Sequence, residues 1–122
     1  MARFNGRRRG TKYGNVHTVY AGVRYDSKSE AKHAEYLDYM VETGEVRWWL
    51  RQVPVWLTPD DKYVMDFLVC LEDGTVCGHE VKGVETSTWL RKKKLWKKYG
   101  NFDLYVIRNG REAECISPEC AP

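Results

Sequence analysis

The sequence predicts a mixed α/β domain in which helices flank a mixed β-sheet. Its 122 residues are enough for one hydrophobic core. Apolar residues make up 43% of the chain and charged residues 30%, a balance typical of folded water-soluble domains. Runs of alternating apolar residues are interrupted by two runs with helical spacing, which predicts strands and helices in one sheet-centred fold.

The first part of the chain predicts an arm followed by a hairpin. Residues 1–15 are basic, contain glycine and show no periodicity, so we expect a flexible basic arm, and we assign residues 16–122 to a single domain. The stretch from Val16 to Tyr25 is rich in Val, Tyr and Thr around Ala21-Gly22, which predicts a short β-hairpin.

A helix follows this hairpin. Ser27 and Glu30 have the spacing of a capping box, and Gly44 is a helix stop. Glu30 lies on one helical stripe with Ala34, Leu37 and Val41, so we expect its side chain to leave from the buried face. A capping role would explain a glutamate here equally well.

The middle of the chain predicts three strands. Val46 to Leu57 is an edge or bulged strand because it contains Pro54. Tyr63 to Leu71 and Thr75 to Val81 flank Glu72-Asp73-Gly74, which is a hairpin signal.

The last third predicts a helix and one strand. Thr86-Ser87-Thr88 begins a helix that ends at Tyr99, before Gly100. Leu104 to Ile107 is a short strand, and we expect an irregular tail from Asn109.

The net charge of +3 is unevenly distributed. Residues 1–25 contain six Lys or Arg and no acid, and residues 91–98 contain six more. Clustered cations of this kind indicate a polyanion partner, although a solvated helix face has the same composition. The four cysteines match no zinc spacing and are too few for a disulfide scaffold, so we expect reduced thiols in a cytoplasmic protein.

The hairpin register brings charged residues together. A type I turn with Gly74 in the left-handed conformation pairs Leu71 with Thr75 and places Asp66 opposite Glu80. Lys82 then shares their face. The other face is expected to be a core face shared by these residues: Met65, Phe67, Val69, Leu71, Cys77 and Val81.

Two opposed carboxylates repel each other and need compensation. A divalent cation would supply it, and carboxylate oxygens suit Mg²⁺ or Mn²⁺. Lys82 could then hold a phosphate or the attacking water and neutralise charge in the transition state. A cross-strand ion pair of Lys82 with Asp66 or Glu80 is the alternative.

These residues and their order resemble the PD-(D/E)XK nuclease superfamily, and in particular its small phage-type members and the archaeal-type Holliday junction resolvases. The resemblance lies in a glutamate on the first helix, Asp66 in a strand and Glu80-Val81-Lys82 in the next, followed by a basic helix. It covers about residues 25 to 107. The superfamily's motif has a proline directly before the acid, and Met65 stands at that position here. Pro59-Asp60 matches the motif's Pro-Asp pair by chance, because it lies in a turn.

The resemblance implies a restriction-endonuclease-like core and metal-dependent hydrolysis of a DNA phosphodiester. It assigns the site residues in two overlapping sets. The catalytic set is Glu30, Asp66, Glu80, Lys82 and Gln52, and the metal-binding set is Asp66, Glu80, Val81 and Glu30. Mg²⁺ is the implied cofactor, with Mn²⁺ as an alternative. The histidines fit no ligand spacing, and His79 falls on the apolar face.

The second predicted helix has a basic face opposite its apolar stripe. Trp89, Leu95, Trp96 and Tyr99 form the stripe, which we expect to be core. The lysines opposite it are the expected DNA contacts, together with the arm: Arg7, Arg8, Arg9, Lys93, Lys94 and Lys97.

The sequence therefore predicts a structure-selective DNA endonuclease that resolves Holliday junctions as a homodimer on branched DNA. A recombination exonuclease or a nicking or restriction-like nuclease of the same fold is an alternative. A non-catalytic DNA-binding protein is a third possibility, in which Asp66, Glu80 and Lys82 form an ion-pair network.

Overall fold

The computed structural model describes residues 17–119. The predicted arm, with Arg7, Arg8 and Arg9, lies outside these residues. The described elements are the strands β1 (Thr18–Tyr20) and β2 (Val23–Tyr25), helix α1 (Lys28–Thr43), the strands β3 (Val46–Thr58), β4 (Asp61–Leu71) and β5 (Val76–Val81), helix α2 (Ser87–Tyr99), and the strands β6 (Leu104–Arg108) and β7 (Arg111–Ile116).

Five strands form one mixed sheet in the order β3-β4-β5-β6-β7. All neighbours are antiparallel except β5 and β6, which are parallel and are joined through α2. β1 and β2 form a separate antiparallel hairpin. The predicted class, a mixed sheet flanked by helices, is confirmed, and Pro54 lies in an edge strand as expected.

The sheet separates two apolar cores. Ala31, Ala34 and Leu37 of α1 pack with Phe67 and Val69, and we call this the α1 core. Trp89 and Trp96 of α2 pack in the other, the α2 core, together with Leu104 and Val106. Because Tyr105 lies against the α1 core while its neighbours lie in the α2 core, the two cores are on opposite faces of the sheet.

Strand β4 changes faces at Asp66, which corrects one prediction. Met65 lies in the α2 core, whereas Phe67 lies in the α1 core, although strict alternation would place both on one face. The β3–β4 register pairs Arg51 with Phe67 and Val53 with Met65, which leaves Gln52 beside Asp66. Gln52 has a φ of 52°, and this left-handed residue interrupts the regular pleat.

The tail after Asn109 is regular, and the prediction of an irregular tail is wrong. Strand β7 pairs antiparallel with β6 through a turn at Asn109 and Gly110, whose φ angles are 52° and 74°. Asn-Gly is the preferred pair for a two-residue hairpin turn because both central residues need positive φ. The signal was therefore present in the sequence.

Two predicted core residues at the ends of the helices are exposed. Tyr99 is 42% exposed and Val41 is 37% exposed, and each lies in the last turn of its helix. Trp89 and Trp96 are buried as expected. Within residues 17–119, neither helix is long and apolar enough to span a membrane.

The close packing of Gly100 on Trp96 gives a stability prediction. A Cβ atom at Gly100 would lie 2.5 Å from the indole of Trp96, which is fully buried and donates a 2.9 Å hydrogen bond to the Phe102 carbonyl. Gly100→Ala should therefore lower the free energy of unfolding by about 1–3 kcal/mol. Gly83→Ala is the control because its Cβ meets no atom within 4 Å. Urea unfolding measures both, and equal stability of the two variants would contradict this packing.

Candidate active site

The hairpin between β4 and β5 has the predicted register. Gly74 has a φ of 88°, and the Leu71 N–H donates to the Thr75 carbonyl at 2.8 Å. Phe67 pairs with His79. The next position along this register places Asp66 beside Glu80, as predicted.

Side chains replace the backbone ladder at this position. The Asp66 N–H donates to Glu80 Oε1 at 3.3 Å, and the Val81 N–H donates to Asp66 Oδ2 at 2.9 Å. Tyr63 Oη also donates to Glu80 Oε1. Gln52 Nε2 donates to Asp66 Oδ1 at 3.5 Å. The two carboxylates therefore take up backbone donors that would otherwise be left unpaired where the strands separate.

A cleft of about 250 Å³ opens over these carboxylates, and we call it the carboxylate cleft. Glu30, Asp66, Glu80, Val81 and Lys82 all line it. Gln52 reaches the same site through Asp66. The structure thus brings together every residue of the predicted catalytic and metal-binding sets.

Glu30 enters the cleft from the first turn of α1. Its backbone N–H donates to the Ser27 hydroxyl at 3.1 Å, so the capping half of the predicted box is present. Burial, followed by the charges of Asp26 and Glu80, raises the pKa of Glu30 to about 7. Its carboxylate is therefore electrostatically part of the cluster.

Burial also raises the pKa of Asp66 well above its usual value, and the charges of Glu80 and Glu30 add to this effect. Burial raises the pKa of Glu80, while its hydrogen bond from Tyr63 and the charge of Lys82 act in the opposite direction. Each ionised carboxylate in the cleft thus disfavours ionisation of the other carboxyl groups.

Two cations partly offset this charge. Lys82 Nζ lies 3.4 Å from Glu80 Oε2 and 4.9 Å from the centre of the Trp89 ring. Arg51 lies over the Tyr25 ring at 4.7 Å, and its charge lowers the pKa of Glu30. Lys82 forms an ion pair with Glu80, two residues earlier in the chain, and this pair does not cross between the two strands as the predicted one would.

Arg51 and Tyr63 also belong to the site, and neither is among its predicted residues. Arg51 directly precedes Gln52, and Tyr63 lies three residues before Asp66 in the same strand. Only the change of face at Asp66 turns Tyr63 toward Glu80, so alternation alone could not place it. Arg51 Nε is buried without a hydrogen-bond partner.

The donor set suits a hard divalent cation. Three carboxylates face two cations, and carboxylate oxygens are the ligands that Mg²⁺ and Mn²⁺ prefer. Within residues 17–119, no three His, Cys, Asp or Glu side chains are already arranged as metal ligands. Asp66 and Glu80 accept N–H and O–H donors instead, so a cation would take over oxygens that these donors now occupy.

The predicted lysine contacts lie away from the carboxylate cleft. Lys93, Lys94 and Lys97 line a separate groove between α2 and β7. Lys93 is engaged there, with its Nζ 2.8 Å from Glu114 Oε2, while Lys94 and Lys97 are exposed.

The predicted placement of His79 in a core is confirmed. It is buried and shares a 2.8 Å hydrogen bond between its Nδ1 and His33 Nε2. Burial lowers the pKa of His33 to about 4 and that of His79 to about 3, so the pair is neutral. Cys70, Cys77 and Cys115 are free thiols.

The fold and the cleft define a mixed α/β protein with a partly buried acidic site and two cations beside it. The chain belongs to the family described as protein of unknown function DUF1064, whose model matches residues 10–113. Searches of curated proteins and of solved structures returned no match.

Replacing Glu30 with glutamine tests whether its charge is repelled by the other carboxylates of the cleft. If repulsion within the cleft dominates, Glu30→Gln should raise the free energy of unfolding by about 1 kcal/mol at pH 8 without divalent cations, because a neutral side chain removes one buried like charge. Glu35→Gln, on the exposed side of the same helix, should have no such effect. Urea unfolding with EDTA measures both. A loss of stability specific to Glu30→Gln would contradict dominant repulsion among the carboxylates, because glutamine keeps the capping interaction and removes only the charge.

Proposed function

We propose that this protein is a metal-dependent, structure-selective DNA endonuclease of the Holliday junction-resolving type. The observation that carries the proposal is the meeting of Glu30, Asp66, Glu80 and Lys82 in one cleft. The three acids come from a helix and two strands. A partly buried cluster of like charges costs stability, and such clusters are typical of functional sites.

The order of the elements supports this proposal. Helix α1 carries Glu30, β4 carries Asp66, and Glu80 lies in β5, with Lys82 directly after that strand. Helix α2 then leads to β6, which is parallel to β5. This is the arrangement that the resemblance to PD-(D/E)XK nucleases implies.

Each residue has a role that its surroundings allow. Asp66 and Glu80 would hold Mg²⁺ or Mn²⁺, with Glu30 and Val81 beside them. When bound, the ion supplies charge neutralisation and a water of lowered pKa. Lys82, held 3.4 Å from Glu80, would contact the phosphate and offset its developing charge. Gln52 orients Asp66 through its amide.

The partner in this proposal is branched DNA. Lys94 and Lys97 are available for phosphate contacts, and Lys93 is already paired with Glu114, so it would have to exchange that partner for DNA. A homodimer in the cytoplasm would place two cutting sites on the two strands of a junction. A nuclease of the same fold that cuts as a recombination exonuclease, a nicking enzyme or a restriction-like enzyme would use the same residues.

One observation favours a second candidate. The contact between Lys82 and Glu80 is also what a non-catalytic DNA-binding protein with a structural ion-pair network would contain. The number of charges weighs against this second candidate, because the two cations beside the cleft do not neutralise its three carboxylates. Metal-dependent cleavage separates the two candidates.

The cleavage test compares a four-way junction, a fork, a flap, linear duplex and single-stranded DNA with Mg²⁺ and with EDTA. Asp66→Ala and Glu80→Ala should each abolish Mg²⁺-dependent cleavage and leave DNA binding equal or stronger, because one repulsive charge is removed. Asp60→Ala is the matched control, since Asp60 lies in an exposed turn. Near-normal cleavage by both site variants would contradict the proposal.

Replacing Lys93, Lys94 and Lys97 together by alanine tests the basic groove. Binding to every DNA structure should weaken, and the slope of log K against log salt on duplex should fall by about 0.9 for each phosphate that the variant no longer neutralises. Preference for junctions should remain, because phosphate contacts do not distinguish DNA structures. Fluorescence anisotropy over a series of salt concentrations measures this, and an unchanged slope would make the groove a solvated face.

A further inference from the structure

A second cleft lies next to the carboxylate cleft. It has a volume of about 470 Å³, within the range of about 300–1,000 Å³ that is usual for ligand sites. One wall is α1, and the other is the turn between β6 and β7. Ser29, Val81, Lys82 and Gly83 line both clefts, so the two form one continuous depression. We call this second one the α1–β6 cleft.

Its charge is opposite to that of its neighbour. Lys32, Lys82 and Arg108 line it, and none of its lining residues in the described part of the chain is Asp or Glu. Arg108 is fixed at the wall by Glu85, whose Oε2 lies 2.7 Å from Arg108 Nη2. A DNA strand with one phosphate at Lys82 would therefore continue into the basic α1–β6 cleft.

The cleft also contains an aromatic ring. Tyr36 lies one helical turn after Lys32 on α1, and 48% of its surface is exposed. The His33 ring lies beneath it, with the ring centres 5.9 Å apart, and His33 itself is buried. Tyr36 therefore presents a supported aromatic surface within a concave, basic site, as proteins that stack nucleic acid bases do.

We propose that the α1–β6 cleft binds an unpaired nucleotide next to the phosphate that is cut, with its base stacked on Tyr36 and its phosphates on Lys32 and Arg108. This inference rests on the proposed function and specifies its substrate class. Bases inside a duplex are stacked on each other and cannot lie in a recess of this size. Only a base that is not stacked in the DNA double helix can contact the ring of Tyr36, as at a branch point or a flap.

The test measures binding and cleavage on two DNAs of the same sequence, a perfect duplex and a duplex with one unpaired 2-aminopurine. Binding is measured by anisotropy in Ca²⁺, and stacking by quenching of the 2-aminopurine fluorescence. Wild type and Tyr36→Phe should quench the fluorescence and prefer the unpaired DNA. Tyr36→Ala should not quench the fluorescence and should bind the unpaired DNA about five- to fiftyfold more weakly, with little change on duplex.

Matched variants isolate the effect. Tyr39→Ala removes a tyrosine that is 60% exposed on the same helix but does not line the cleft, and it should behave as wild type. Lys32→Ala and Arg108→Ala should weaken binding to the unpaired DNA and lower its salt slope. Because Tyr36 is exposed, its variants should keep the wild-type circular dichroism and melting temperature.

The outcomes separate the two proposals. If wild type cleaves DNA with Mg²⁺ but Tyr36→Ala quenches and binds as Tyr39→Ala does, the inference fails and the proposed function stands. If wild type cleaves no DNA but binds the unpaired nucleotide through Tyr36, the cleft is a binding site without the nuclease activity. If wild type neither binds nor cleaves DNA, both proposals fail.

Discussion

Strands β4 and β5 stop pairing through their backbones where Asp66 meets Glu80, and the side chains of these two acids complete the hydrogen bonding there. The Val81 N–H reaches Asp66, and the Asp66 N–H reaches Glu80. Phe67 and Val69, after this point, pack in the α1 core, whereas the odd-numbered residues before it, Tyr63 and Met65, pack in the α2 core. The separation of the strands opens the carboxylate cleft, so the shape of the sheet and the position of the site have one origin.

This arrangement concentrates negative charge where it is partly shielded from water, which lowers the stability of the folded state. Glu30 adds a third carboxylate, and the positive charges of Lys82 and Arg51 offset only part of the total. Gln52, in a left-handed conformation that is unfavourable for a residue with a side chain, adds backbone strain at the same point. Costs of this kind gathered at one cleft are typical of functional sites.

The sequence predicted the elements well where local chemistry decides them. Ser27 and Thr86 cap the two helices, and Gly74 forms the turn that fixes the register of Asp66 with Glu80. The failures have physical reasons. Met65 was placed on the wrong face because alternation assumes an unbroken pleat, and nothing in the sequence shows that Gln52 adopts a positive φ.

The sequence predicts which charged residues meet in the carboxylate cleft, but it does not predict the residues that surround them. Glu30, Asp66, Glu80 and Lys82 could be placed because hairpin register and helix spacing are short-range properties. The roles of Tyr63 and Arg51, and the α1–β6 cleft, depend on how β3, α1 and the β6–β7 turn meet, and these contacts join residues far apart in the chain. Strand β7 is the exception, because its hairpin turn at Asn109-Gly110 is a local signal that the sequence does contain.

The proposed function requires the carboxylate cleft to bind a divalent cation. The most direct measurement is a crystal structure of the protein grown with Mn²⁺, with data collected for the anomalous signal of manganese. The account predicts one anomalous peak in the cleft, within coordination distance of both Asp66 and Glu80. It would be contradicted by a map without a peak there, in which Lys82 and the carboxylates remain paired with one another.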